Sequence, residues 1–322
     1  MSTQPHGNFE GMIHNIQRHQ LFKLTLASGV VLSGLFGLRA LQRPAIAIDS
    51  QTVTLQFEGM VGEQPFACGQ TYSLGTSASP MTVTDFRFYV SEVALLDAEG
   101  NEVPLILQQD GKWQHQDVAL VDFEDKTGAC TNGTPDTRAQ VIGSVPAGDY
   151  QGVKFTLGVP FALNHVDSTL APSPLNLTSM WWNWNFGYKF ARIDLTPAAA
   201  QSRQHGAESD SHGDAEKTNE FQGFATHLGS VGCQMDAAQA PVVCSLPNRA
   251  DVVFTDFDLT QNVVVADLAA LFATTNVSEN QEDTALGCMS SPADGDCAGI
   301  MQTLGLPFND LPVLEQTFFS VK

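Results

Sequence analysis

Two histidines lie on either side of the most aromatic stretch of the chain, and histidine is the commonest metal ligand in proteins. His165 precedes the stretch Leu175–Ile193, and His227 follows it. Neutral imidazoles without thiolates suit copper, zinc or nickel, and in an oxidising compartment copper is a reasonable ion. Asp167, close after His165, could accept a hydrogen bond that fixes the tautomer of that ring. Each histidine taken alone is more often a hydrogen-bonded structural residue, so a metal site requires the two rings to meet.

The aromatic stretch itself has two interpretations. Three of the four tryptophans fall within it, namely Trp181, Trp182 and Trp184. Phe186, Tyr188 and Phe190 follow at every second position, which predicts a strand with one aromatic face. Large aromatic side chains most often belong to a hydrophobic core. The alternative is that some of the indole rings lie beside the histidines at a metal site.

Other motifs do not point to a catalytic centre. The chain has no Gly-x-Ser-x-Gly, no His-Glu-x-x-His and no phosphate-binding glycine loop, which are the patterns of common hydrolases and nucleotide-binding proteins. The remaining histidines are weaker ligand candidates: His115 at a predicted hairpin edge, His205 and His212 in a polar insert, and three in the amino-terminal segment. We therefore expect a protein that is not an enzyme.

The charge and the first residues indicate export. The chain has 15 Lys and Arg against 35 Asp and Glu, a balance that argues against nucleic acid and anionic membrane surfaces as partners. Residues 1–47 contain the apolar run Leu24–Leu38 and the small-x-small sequence Ala45-Ile46-Ala47, as a signal peptide does. Arg39 and Arg43 between the two leave an uncleaved anchor as an alternative. We expect a periplasmic, extracellular or surface protein of a bacterium.

All six cysteines lie after this segment, and an even number in an exported chain indicates disulfides. Short separations favour Cys233–Cys244 and Cys288–Cys297, which leaves Cys68–Cys130. No Cys-x-x-Cys occurs, which argues against a thiolate zinc site or a redox pair.

The elements that must position these residues are short strands. Alternating apolar runs separated by turn signals predict one all-β domain over residues 48–322, an antiparallel β-sandwich with long irregular loops and one or two short helices. Asp251–Phe257 and Gln261–Ala266 are predicted to form a hairpin, and Asp296–Leu304 a short helix. The polar, low-complexity residues 197–219 are predicted to be a mobile insert.

Several motifs occur in one order along the chain, and together they resemble a known family. They are Val159-Pro160-Phe161, Leu163-Asn164-His165, Pro172-Ser173-Pro174-Leu175-Asn176, Met180-Trp181-Trp182-x-Trp184, Gly187-Tyr188-Lys189-Phe190, His227-Leu228-Gly229-Ser230-x-Gly232-Cys233, and Gly287-Cys288-Met289-Ser290. Over about residues 50–305 the chain resembles the MbnP family, which includes MopE/CorA-type copper proteins. With Cys244 and Cys297, the cysteines agree with the four-cysteine motif of that family.

The resemblance implies copper held by His165 and His227, with a kynurenine made from tryptophan as a ligand or neighbour. It also implies a partner, a di-haem cytochrome c peroxidase-like (MbnH-like) protein, that carries out this oxidation. Some relatives have the modified residue very near the first histidine, where this chain has Leu163. That departure leaves Trp181, Trp182 or Trp184 as the precursor, and Trp184 is preferred because it begins the alternating run.

The leading hypothesis is therefore an exported copper-binding protein that serves in copper acquisition or storage. The first alternative is a calcium-stabilised structural or adhesive surface protein, because Asp256-x-Asp258 and Asp294-Gly295-Asp296 offer the oxygen ligands that calcium prefers. The second is an enzyme that uses copper for redox chemistry, for which the sequence shows no substrate pocket.

Overall fold

Short strands form most of the regular structure in the described residues, which are 49–183, 186–199 and 222–322 of the computed structural model. In chain order the strands are β1 (Ser50–Val61), β2 (Gln64–Pro65), β3 (Thr71–Leu74), β4 (Ser79–Leu96), β5 (Glu102–Pro104), β6 (Ile106–Leu107), β7 (Gln114–His115), β8 (Val118–Asp122), β9 (Gln140–Pro146), β10 (Gly152–Leu157), β11 (Trp181–Asn183), β12 (Gly187–Tyr188), β13 (Ala191–Pro197), β14 (Phe224–Leu228), β15 (Val231–Met235), β16 (Pro241–Leu246), β17 (Ala250–Phe254), β18 (Val264–Asp267) and β19 (Phe319–Val321). The helices are α1 (Phe161–Asn164), α2 (Leu268–Leu271) and α3 (Cys297–Thr303), with a 3-10 turn at Thr178–Met180.

Most of these strands belong to two sheets. The larger has the order β14-β13-β4-β10-β17, with β3, β5 and β8 also paired to β4, and β7 paired to β8. The smaller has the order β19-β18-β1-β9-β6, with β2 paired to β1. Among the pairings between these strands, β1 with β18 is parallel and the others are antiparallel. The predicted all-β sandwich with short helices is confirmed.

The two sheets enclose an aromatic core. Phe57 of β1 packs edge-on against Phe88 of β4 and Phe155 of β10, with ring centroids 5.9 and 5.6 Å apart. Because side chains alternate along a strand, Phe86 and Phe88 face this core while the neighbouring Asp85 and Arg87 face the opposite side. That outer face of the larger sheet carries Asp85 and Arg87, both buried.

The segment between β10 and β13 covers this outer face. Tyr89 donates a hydrogen bond to the carbonyl of Pro174 (2.9 Å), and Tyr188 donates one to that of Leu175. Gly187 has φ +78°, and a Cβ there would collide with the carbonyl oxygen of Asn164. Only glycine therefore lets Asn164 approach closely enough to accept a bond from the Tyr188 amide, at 2.8 Å.

Two details of the sequence prediction are wrong. Asp251–Phe257 and Gln261–Ala266 do not form a hairpin: β17 pairs with β10 in the larger sheet, whereas β18 pairs with β1 in the smaller. The turn between them carries the chain across the sandwich. Phe186, Tyr188 and Phe190 do not form one strand with one aromatic face: the strand is only Gly187–Tyr188, Gly187 has a positive φ, and Phe186 is exposed while Tyr188 and Phe190 are buried.

Three disulfides cross-link the chain, between Cys68 and Cys130, Cys233 and Cys244, and Cys288 and Cys297. The last two flank His227 in the fold, since the His227 amide donates to the carbonyl of Cys288 at 2.9 Å and β15 follows β14 directly. In the described part of the chain, no helix is long and apolar enough to span a membrane. The amino-terminal segment 1–47, residues 200–219 of the polar insert, and Trp184 lie outside the described residues.

Candidate metal centre

His227 lies at the end of a row of charged residues that crosses the larger sheet. It pairs with Arg192 of β13, Arg192 pairs with Arg87 of β4, and Arg87 pairs with Asp122 of β8. Residues directly opposite one another on paired strands point to the same face. The row therefore lies on the outer face, beneath the segment that carries the tryptophans.

A carboxylate orients the His227 ring. The Nε2 atom of His227 is 2.7 Å from Oδ1 of Asp194, and Arg192 holds Asp194 from its other oxygen at 2.8 Å. Burial would raise the pKa of Asp194, but its bonds with His227 and Arg192 lower it to about 2. Burial lowers the pKa of His227, against the opposing effect of Asp194. Burial therefore favours the neutral ring, which donates from Nε2 to Asp194 and carries no proton on Nδ1.

Trp182 lies beside His227. The ring centroids of Trp182 and His227 are 6.3 Å apart. The ring of Phe186 also packs against Trp182, with centroids 6.2 Å apart. A Cβ at Gly229 would lie 2.6 Å from the Trp182 ring, so the glycine lets the indole rest on the backbone next to His227. Trp181 instead packs against the core, and its buried Nε1 has no hydrogen-bond partner among the described residues.

His165 follows α1 and lies against the hairpin of β15 and β16. Its Nε2 atom is 3.5 Å from Sγ of Cys244 and 3.2 Å from the side-chain nitrogen of Asn164. The ring of Phe161 packs on it, with centroids 4.8 Å apart. His165, Cys233 and Cys244 bring one potential ligand atom each within 4.8 Å of one another. Because the two sulfurs are joined as a disulfide, neither is a thiolate, and of the three groups the imidazole is the one that could hold a metal.

Asn164 connects the segments that carry the two histidines. Its side-chain nitrogen is 3.4 Å from Oγ of Ser230, which in turn donates to the carbonyl of Pro247 at 3.0 Å. Ser230 stands three residues after His227 and directly before β15. The loop of His165 and the end of the His227 strand are thus held together through one buried amide side chain.

An apolar cavity opens beside Trp182. Its volume is about 600 Å³. Its apolar lining consists chiefly of Trp182, Phe186, Val231, Leu246, Met289 and Pro292. Cavities of this size with few polar groups are typical of ligand sites. The edge of the indole next to His227 is therefore reachable from outside the fold.

The sequence interpretation did not identify Asp194, the carboxylate that pairs with His227. It proposed Asp167 as the acceptor for His165, which stays a prediction; Oδ1 of Asp167 accepts bonds from the amide and hydroxyl of Thr169, at 2.9 and 2.7 Å. Asp194, which pairs with His227, lies two residues after Arg192 on β13. The alternation of charged and apolar residues in Ala191–Pro197 is the signal that could have found it.

Asp122, a member of the charged row, makes the unfolding free energy of the protein depend on pH. Burial raises its pKa to about 7, although Arg87 opposes the shift. The folded protein therefore holds a proton that the unfolded chain, with an Asp pKa near 3.9, has already released, and this contribution to stability is lost as pH rises from about 4 to about 7. In that window the unfolding free energy of the wild type should fall, relative to Asp122→Asn, by up to about 1.4 kcal/mol per pH unit. Denaturant unfolding at pH 4.5, 5.5, 6.5 and 7.5 checks this, and parallel profiles for the two proteins would contradict it.

The comparisons with known proteins identify the family and the fold. The protein-family model described as MbnP matches residues 50–290. A solved structure, MbnP from Methylosinus trichosporium, is 29% identical, with a TM-score of 0.70, and the match covers 85% of this chain and 99% of that one. No curated protein matches the chain.

Proposed function

The chain belongs to the MbnP family, and from this membership we propose that it is an exported, non-enzymatic copper-binding protein that serves in copper acquisition or storage. The observation that carries the proposal is the pair formed by His227 and Asp194, in which the carboxylate holds the orientation of a buried imidazole. Such a carboxylate–histidine pair is the usual support of a metal-binding histidine.

The donor set fits copper. In the proposal, His227 binds through Nδ1 and His165 is the second ligand, brought to the same region by Asn164. All six cysteines are in disulfides, so thiolates do not compete for the ion, and imidazole is a good ligand for copper.

Trp182 is the tryptophan that we propose for oxidation to kynurenine. It lies beside His227 and lines the open cavity, whereas Trp181 packs into the core and Trp184 lies outside the described residues. Opening the indole ring converts an N–H that only donates into an aniline nitrogen with a lone pair. A partner di-haem enzyme would carry out this oxidation at the exposed edge of the ring.

Protein isolated from its own host tests the proposal. We expect about one copper ion per chain by metal analysis, because two imidazoles with one neighbouring donor form one site. Intact mass followed by peptide mapping should place any oxidative mass increase on the peptide that contains Trp182. Copper-free protein that also fails to bind added copper would contradict the function, whereas a bound ion with an unmodified Trp182 would contradict the kynurenine alone.

The alternative of a calcium-stabilised surface protein depends on Asp294. This carboxylate is buried, its Oδ2 atom has no hydrogen-bond partner among the described residues, and burial raises its pKa. Asp258 belongs to the other acidic pair that suggested calcium. It accepts hydrogen bonds from the amide and hydroxyl of Thr260, at 2.8 and 2.7 Å. A thermal midpoint that rises with calcium and not with copper would favour this alternative.

A further inference from the structure

We propose that Cys68, Cys130 and Glu124 form a second metal site, specific for Zn²⁺, when a dithiol reductant opens the disulfide between the two cysteines. This site is separate in the chain from His165 and His227, and it does not depend on the proposed copper function.

The three side chains already converge. One ligand atom from each lies within 4.8 Å of the other two. The Cα atoms of the cysteines are 5.7 Å apart, and two backbone bonds hold them in place: the Cys130 amide donates to Thr127 at 3.0 Å, and the Gly69 amide donates to Val83 at 3.4 Å. The backbone therefore keeps the two sulfurs near each other after the bond between them is broken.

The buried carboxylate of Glu124 is a second, independent observation that indicates a ligand site. Its side chain is fully buried, and Oε1 accepts a bond from the Lys126 amide at 2.8 Å. Oε2 has no hydrogen-bond partner in the described residues, and Gly133 packs so closely on it that a Cβ there would collide. A buried oxygen without a partner costs free energy, and a cation beside it would remove that cost.

Reduction of the disulfide is a balanced two-electron exchange. A thiolate of the dithiol attacks Sγ of Cys68, which is the more accessible sulfur because Cys130 is only 1% exposed. The S–S bond breaks, and Cys130 leaves as the thiolate and takes a proton. The second thiol of the reductant then displaces Cys68, so the reductant becomes a cyclic disulfide and its two thiol protons end on the protein sulfurs.

The ligand types select zinc among common ions. Two thiolates and one carboxylate carry three negative charges, and a divalent ion neutralises more of this charge in a buried site than Cu⁺ does. Thiolate and carboxylate oxygen are both ordinary zinc ligands, and zinc takes four ligands in a tetrahedron. Cys68 is half-buried, so a water molecule can complete the coordination. On binding, the two thiol protons leave to solvent.

The test compares reduced proteins that differ only at this site. Full-length wild type, Cys68→Ser/Cys130→Ser and Glu124→Gln are reduced with dithiothreitol, freed of reductant without oxygen, and titrated with Zn²⁺. The double variant retains the other four cysteines, so it subtracts any zinc that they bind. We expect the wild type to bind one more zinc ion per chain than the double variant, and Glu124→Gln to bind that ion at least about tenfold more weakly.

Co²⁺ gives a readout that does not depend on stability. Sulfur-to-cobalt charge-transfer absorption in the wild type should exceed that of the double variant, and Glu124→Gln should retain the band at a higher midpoint of cobalt concentration. Circular dichroism shows whether each reduced protein is folded. Equal zinc stoichiometry in the wild type and the double variant would overturn the site, and equal affinity in the wild type and Glu124→Gln would remove Glu124 from it.

Discussion

Replacing His227 with alanine is expected to weaken copper binding at least about 100-fold. The change removes the ligand whose ring is held by Asp194 at 2.7 Å, and mutation of outer partners of metal ligands alone typically costs 10–100-fold in affinity. Asp194→Asn should consequently fall between the wild type and His227→Ala, because it leaves the imidazole in place and weakens its orientation. Isothermal titration or competition with a copper chelator measures all three affinities.

His115→Ala is the matched control for this prediction. His115 lies on β7, partly exposed, with Nε2 3.2 Å from the side chain of Gln116, and it should bind copper as the wild type does. The fold should survive the loss of His227, since Asp194 remains paired with Arg192. Wild-type affinity in His227→Ala would eliminate the proposed centre, and a loss of equal size in His115→Ala would show non-specific binding by surface histidines.

Replacing Arg87 with methionine is expected to lower the free energy of unfolding by about 3–5 kcal/mol, the usual cost of leaving a buried charge without its partner. Arg87 is 1% exposed, and its guanidinium binds both carboxylate oxygens of Asp85, at 2.7 and 2.5 Å. Arg192, 3.0 Å from Asp85, offsets part of the loss, so the lower end of the range is expected. Denaturant unfolding at pH 7 measures the change.

A double variant separates the charge effect from the loss of packing. Asp85→Asn removes the carboxylate that Arg87→Met would leave uncompensated, so the combined variant should be less destabilised than the sum of the two single changes. Arg138→Met is the control on a partly exposed arginine, whose ion pair with Asp110 spans 3.6 Å and should contribute no more than about 1 kcal/mol. A cost below 1 kcal/mol for Arg87→Met would contradict the prediction.

Both predictions concern one structural feature, the charged row on the outer face of the larger sheet. Arg87 anchors the row at its centre and His227 ends it at β14. Because Arg192 contacts both Asp85 and Asp194, the ions that stabilise the sheet also orient the imidazole. A rigid support of this kind is what a metal ligand needs, since loose supporting groups leave a site geometrically imprecise.

Strand positions were predictable because apolar alternation is a local property of the chain. Met81–Leu96 alternates around Phe86 and Phe88, and the structure has a strand there from Ser79 to Leu96. The pairing of strands was less predictable: the order of β17 and β18 along the chain suggested a hairpin, but each pairs with a strand far away in sequence. The local pattern of apolar residues does not specify which strand, distant in sequence, a given strand pairs with.

The sequence by itself determined the kinds of group available: two histidines around an aromatic stretch, six cysteines, and an excess of acidic over basic residues. Only the tertiary structure decided which of them act together. It placed Asp194 on His227, Trp182 beside that ring and Glu124 next to Cys68 and Cys130. Sheet register and loop packing bring together residues that are far apart in sequence, as Asp194 and His227 are at 33 positions. The pKa shifts follow from the same cause: burial lowers the pKa of His227, and the bonds with His227 and Arg192 lower that of Asp194.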